Sequence, residues 1–205
     1  MTIKIRFPEM RFFLFVVFLV FVGCDVGLTR AQESAQADSL ESEMMSSEPT
    51  EQHELLKKFV GTWKSKMGSD GPDDDSTGET IGEMKAKMLG GLWVVCEISI
   101  EMPGDETFNA VQTIGFDDKK ERYVGTWVDS MTNFMWQYNG RVSKDGKRLV
   151  LTAKGPDFTS EGETATFRDS FVFKSSDTIL TKSEIKNKDG EWKNLMTGEM
   201  TRVGD

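Results

Sequence analysis

Beyond about residue 60 the chain alternates apolar and polar residues with a period of two. Leu92, Val94, Cys96, Ile98 and Ile100 take one phase, and Trp93, Val95, Glu97, Ser99 and Glu101 the other. Phe134, Trp136 and Tyr138 alternate with Asn133, Met135, Gln137 and Asn139. Further on, Ala165, Phe167, Phe171 and Phe173 share a phase opposed by Thr164, Thr166, Arg168 and Ser170. A pleated backbone sends successive side chains to opposite faces, so this period predicts half-buried strands. They are expected near 60–67, 78–87, 91–101, 107–116, 122–129, 132–143, 148–154, 163–174, 178–187 and 191–203. Asp145-Gly146 and Asp189-Gly190 are favoured two-residue hairpin turns. Asp117-Asp118-Lys119-Lys120 is a polar turn, and Gly90-Gly91 and Gly155-Pro156-Asp157 break two other runs. Connections this short favour an up-and-down meander. Ten strands in one open sheet would leave long unpaired edges, and closure removes them. The pattern therefore predicts an all-β fold, a single up-and-down antiparallel β-barrel of about ten strands.

One segment departs from period two. Over residues 51–59, Leu55, Leu56 and Phe59 share a face at helical spacing, with Thr50 as N-cap and Glu51 in the first turn. A short N-terminal helix is expected there, lying against or closing one end of the barrel. Before it, residues 24–50 are rich in Gln, Ser, Glu and Ala and poor in apolar side chains. Such a segment cannot bury enough surface to offset chain entropy, so it reads as a flexible acidic linker. The barrel domain is expected over residues 51–205.

The first 23 residues have the form of an export signal. Lys4, Arg6 and Arg11 make a positive start, and residues 12–22 are uninterrupted and apolar. That run is shorter than the roughly 20 residues a membrane span needs. Two processing sites fit. Phe21-Val22-Gly23-Cys24 resembles a bacterial lipobox, in which Cys24 is lipidated. Thr29-Arg30-Ala31 fits an ordinary cleavage site, removing residues 1–31. The expected location is the periplasm or cell envelope in the first case, or secretion in the second. Membrane contact is expected only through the signal or a lipid.

The formal net charge is −9, and residues 24–52 hold seven acids against one arginine. An acidic domain without a basic cluster argues against nucleic acid as a partner, and against anionic membrane surfaces. The two cysteines are Cys24 and Cys96, so the processed protein has no internal disulfide under either reading. Cys96 lies in an apolar strand with no basic neighbour in sequence, and a buried, inert thiol is expected.

Gly-Thr-Trp occurs twice, at Gly61-Thr62-Trp63 and Gly125-Thr126-Trp127. His53 precedes Leu55-Leu56, and Gly90-Gly91, Gly115-Phe116-Asp117, Gly140, Arg168 and Thr201-Arg202 follow in order. With the run Tyr123-Val124-Gly125-Thr126-Trp127-Val128-Asp129-Ser130-Met131, these features resemble the bacterial domain of unknown function 1579 family over residues 53–202. Phe116 stands where that family has Tyr. The resemblance implies a lipocalin-like barrel and no agreed activity. Trp63 on the first strand and Arg202 on the last are similar to the Trp–Arg pair that closes lipocalin barrels, a contact of roughly 0.5–2 kcal/mol.

Candidate ligand contacts are Arg168, Trp127, Phe134, Trp136, Tyr138 and His53. If the polar phase around Arg168 faces inward, its guanidinium needs a carboxylate partner, such as Asp129 or a glutamate, or an anionic ligand; otherwise it is simply an outward side chain. The aromatic phase of Phe134, Trp136 and Tyr138 with Trp127 lines a pocket if the barrel is wide, and is plain core otherwise. Eight strands leave room for side chains or one small ligand. Ten leave more, unless the fourteen Phe and five Trp fill it.

His53 is the only histidine. Alone it builds neither a zinc nor a haem site, and no metal or cofactor is expected. Its expected role is a hydrogen bond to the barrel rim, with a proton-transfer or ligand role as the alternative. The acidic run over residues 70–79 spaces Asp73, Asp75, Thr77 and Gly78 as a calcium loop would. Its twelfth position is Met84 where a glutamate is required, so a solvated turn is favoured. No Gly-x-Ser-x-Gly, His-Glu-x-x-His, phosphate loop or Cys-x-x-Cys is present. The favoured function is a non-enzymatic binder of a small amphipathic or anionic ligand in the barrel. A structural or protein-interaction module with a filled barrel is the alternative, and an enzyme using His53 or paired carboxylates the third.

Overall fold

The computed structural model describes residues 48–68, 80–102, 104, 106–158, 160 and 162–204. The signal, Cys24, most of the acidic linker and the 70–79 loop lie outside the described residues. Ten strands follow one helical segment: β1 Gly61–Gly68, β2 Thr80–Leu89, β3 Trp93–Met102, β4 Glu106–Asp117, β5 Arg122–Asp129, β6 Trp136–Val142, β7 Arg148–Pro156, β8 Thr164–Phe173, β9 Thr178–Lys186 and β10 Trp192–Gly204. Each pairs antiparallel with its neighbour in sequence, and β1 pairs with β10, so the sheet closes into a barrel. The all-β, ten-strand barrel expected from the alternation is the observed fold.

Three local expectations need correction. The helix over 51–59 is two pieces, α1 Glu51–Glu54 and a 3₁₀ turn Leu56–Phe59. The tighter turn lets both Leu56 and Phe59 reach the barrel interior, where each is fully buried. It also aims the Phe59 carbonyl at Trp63, whose Nε1–H donates to it at 2.7 Å. The sixth strand starts at Trp136 rather than at 132, because residues 129–132 turn around Asp129. Asp129 Oδ1 accepts from the backbone N–H groups of Met131 and Thr132 at 2.9 and 2.8 Å. Finally, the Asp-Gly pairs sit in loops 143–147 and 187–191, longer than two residues, with Gly146 and Gly190 at φ 68° and 84°. Those left-handed values are why glycine stands there.

The helical segment plugs one end of the barrel. Phe59 meets Phe171 and Phe173 edge to face, both at 5.2 Å between ring centroids. Around it Leu56, Trp63, Val94, Ile114, Leu149, Leu151 and Ile179 have no solvent exposure. Burying one such side chain contributes about 1.5–3 kcal/mol, so this end contributes much of the domain's stability. The Tyr123 hydroxyl donates to the Gln52 carbonyl at 2.9 Å and ties α1 to the wall. Closure is reinforced at the same end. The Arg202 guanidinium lies 4.2 Å from the Trp63 ring centroid and donates to the carbonyl oxygens of Val60 and Lys58.

Gly125, in the second Gly-Thr-Trp, is where β5 presses on β4. A β-carbon there would overlap the backbone carbonyl of Thr113, and no rotamer change relieves a backbone clash. Gly125→Ala is expected to destabilise the domain by about 3 kcal/mol in urea unfolding. A loss below about 0.5 kcal/mol, the usual scale of a neutral surface change, would refute this close approach.

Candidate functional site

Above the plug the lumen is not filled. A cavity of about 290 Å³ is bordered by Met84, Ile98, Phe108, Trp127, Trp136, Ala153, Phe167 and Phe171, among others. Strand phase decides which side chains reach it. On β8, Ala165, Phe167, Asp169, Phe171 and Phe173 share the inward phase. Phe173 packs on the plug, while Phe167 meets Trp136 and Phe158 at 4.8 and 5.1 Å. Phe158 is 66% exposed, so Phe167 marks the open mouth and Phe171 the floor. Asp169 lies between them.

A small polar network surrounds Asp169. Tyr138 Oη donates to Oδ2 at 2.8 Å, and Ser183 Oγ donates to Oδ1 at 2.5 Å. The buried Gln112 borders the same cavity. Burial pushes the Asp169 carboxyl up from its ordinary value, and the bonds from Ser183 and Tyr138 offset only part of that. The barrel wall surrounds this carboxylate, but part of its surface stays open to the cavity. Burial, then the neighbouring carboxylate, push the Tyr138 phenol well above its usual range, so it is a neutral donor.

Arg168 is on the other phase of β8 and belongs to a separate cluster. Its Nη2 is 2.6 Å from Glu184 Oε2, and its guanidinium stacks 4.0 Å from the Trp192 ring centroid. Lys182 Nζ pairs with Glu184 Oε1 at 2.9 Å. Burial raises the Glu184 carboxyl, but the hydrogen bonds from Lys182 and Arg168 outweigh it and hold the group below its ordinary value. The inward polar phase considered for Arg168 is thus the outward one. Of the partners considered it takes a glutamate, Glu184, rather than Asp129.

The other candidates divide. Trp127, Trp136 and Tyr138 all border the cavity. Trp127 Nε1–H donates to Asp129 Oδ2 at 3.0 Å, and its ring stacks on Phe108 at 6.4 Å, so it faces the lumen near the mouth. Partial burial raises the Asp129 carboxyl, but bonds from Trp127, Met131 and Thr132 bring it below its usual value. Phe134 precedes β6 and backs the Trp136 ring at 5.0 Å. His53 is buried in the plug, edge-on to Phe116 at 6.1 Å. Its Nδ1 accepts the Thr50 backbone N–H at 2.9 Å, which caps α1 rather than bonding the rim. Cys96 is fully buried, and burial pushes its thiol up to about 12. Among the described residues no cluster of His, Cys, Asp and Glu is arranged to hold a metal ion.

Asp169 is the residue that sequence reasoning passed over. Its signal was present: a lone carboxylate two residues from Phe167 and two from Phe171, hence on the apolar phase.

The chain belongs to the family described as protein of unknown function DUF1579, which it matches over residues 48–202. No curated protein matches it. Among solved structures, it is similar to the crystal structure of Rv2717c from M. tuberculosis. The TM-score is 0.54 at 9% identity, over 76% of this chain and 99% of that one. It is also similar to the S-type phycobiliprotein lyase CPES from Guillardia theta. Here the TM-score is 0.48 at 16% identity, over 76% and 93% of the two chains. At such identities the likeness to Rv2717c supports the fold alone.

An acid whose carboxyl is raised in the folded state costs stability once pH exceeds its ordinary value of about 3.9, and costs it fully above the raised one. Asp169→Asn removes that cost while keeping side-chain groups for Tyr138 and Ser183. The variant should melt above wild type at about pH 8, and the gain should shrink towards about pH 4. Differential scanning calorimetry across that range checks it, and a gain that grows on acidification would contradict it.

Proposed function

We propose that the protein is a non-enzymatic binder of a small amphipathic molecule held in the barrel lumen. The observation that carries this reading is the half-filled interior. Phe59 and its neighbours block one end, and an aromatic-lined cavity of about 290 Å³ occupies the other. That volume is near the lower end of small-molecule sites, roughly 300–1,000 Å³, which pair apolar walls with a few polar groups. Tyr138, Asp169, Ser183 and Gln112 supply those groups. The amphipathic form is favoured over the anionic one, because the Arg168 charge is answered by Glu184 and the charge inside is a carboxylate. The enzyme reading has less support, since His53 is spent on the cap and Asp169 has no second unpaired carboxylate beside it.

A neutral apolar dye, N-phenyl-1-naphthylamine, should bind with micromolar affinity and quench tryptophan fluorescence. Ala153→Trp, which fills the cavity, should weaken binding about tenfold or more, the scale of losing one well-packed contact. Arg168→Ala, on the outer wall, should leave it unchanged. No dye binding, together with a dimer in solution, would instead favour an interaction module using the exposed Met131 and Phe158.

We further infer export to the cell envelope, from the positive start and the apolar run over residues 12–22. Labelled palmitate should enter the wild-type protein and not Cys24→Ala when each is expressed in a bacterium. A mature N-terminus at Gln32 would instead support ordinary cleavage after Ala31.

A further inference from the structure

We propose that the ligand carries its polar end as a cation, an alkylammonium held by Asp169 with its chain running towards the mouth. This rests on the lumen being a binding site and names the chemistry it selects.

The inward carboxylate has only neutral partners. Tyr138 and Ser183 each use one acceptor position of Asp169. A carboxylate has about four such positions, so acceptor capacity remains on the side open to the cavity. No basic side chain pairs with Asp169 among the described residues. The nearest candidates by sequence, Arg168 and Lys182, are both joined to Glu184. Lys182 and Glu184 also border the cavity; Lys182 pairs with Glu184 at 2.9 Å, so Arg168 and Lys182 share that one carboxylate and neither is paired with Asp169. A buried carboxylate with neutral donors alone is under-compensated, and a cation entering from the mouth would complete it.

The walls suit the same ligand. Trp127, Trp136 and Phe167 border the cavity, and aromatic faces attract an ammonium group while also covering an alkyl chain. An anion would meet the opposite field, with a carboxylate inside and a net charge of −9 on the chain. An alcohol would gain a hydrogen bond from the same site but no charge compensation, and charge-assisted bonds are roughly twice as strong as neutral ones.

Octylammonium, octan-1-ol and octanoate match in chain length and differ in the head group. Titration calorimetry of the processed protein near neutral pH should show octylammonium binding about tenfold or more tighter than octan-1-ol, with octanoate weakest. Asp169→Asn should bring the amine to within about twofold of the alcohol and leave the alcohol unchanged, because only the charge has gone. Its melting curve confirms that the variant is folded. Equal binding of all three, or an amine preference that survives Asp169→Asn, would overturn Asp169 as the selector while lumen binding stands. If neither this series nor the neutral dye binds, the lumen reading itself falls, and this proposal with it.

Discussion

Closing ten strands into one sheet fixes how much space the side chains must deal with. Barrel diameter grows with strand number, and an eight-stranded barrel already has room for one small ligand. Here closure is made by β1 against β10, in a register that sets Trp63 opposite Arg202. The ring and guanidinium stack there, while Arg202 also holds the carbonyls that lead into β1. The excess interior is handled unequally along the axis. One end receives a helical plug and a full aromatic core, and the other keeps a cavity. Ten strands with no plug would leave a channel. Ten strands with more Phe and Trp inside would leave nothing.

The two sides of β8 show how one residue of phase separates structure from chemistry. Arg168 outside pairs with Glu184, a carboxylate it shares with Lys182, and stacks on Trp192. Glu184 is buried between the two cations, and through Trp192 the cluster joins β8, β9 and β10. Asp169 inside has hydrogen bonds but no opposite charge. Neutral donors stabilise a carboxylate less than a cation does, which is why burial still raises its carboxyl. The outer carboxylate already holds two cations, whereas the inner one holds none.

Much of the fold was legible because a barrel contrasts inside with outside at every residue. Leu92 to Glu101 could be assigned to two phases without reference to anything distant. The strand boundaries that failed did so where local chemistry interrupted the pleat, as when Asp129 captured the amides of Met131 and Thr132 and delayed β6. The split at Leu55 was hidden because α-helical and 3₁₀ turns place Leu55, Leu56 and Phe59 on nearly the same face over so short a span. Phase grouped Trp136 and Tyr138 on one face, but neither their place beside a cavity nor the direction of Trp127 could be read from it. Asp169 required accepting a charge on an apolar phase, which violates the rule that defined the phase. A sequence read for consistency discards such a residue, although an isolated breach of pattern is where a site is expected.

Cavity shape depends on small residues as much as on the aromatic ones. The Trp136 ring lies directly over Gly155, where a β-carbon would collide with it. Without that glycine the indole would be displaced from its seat. Ala153, two residues along the same inward phase, leaves the space between Trp136 and the floor. The residues with no solvent exposure, by contrast, sit around the plug, in a different layer of the barrel. Stability and cavity shape are thus set by separate groups of side chains along one axis. A domain arranged this way can change the size of its open end without disturbing the packing that closes the other. In such a barrel the fold alone does not identify a ligand, and the residues that do are the few polar groups left inside.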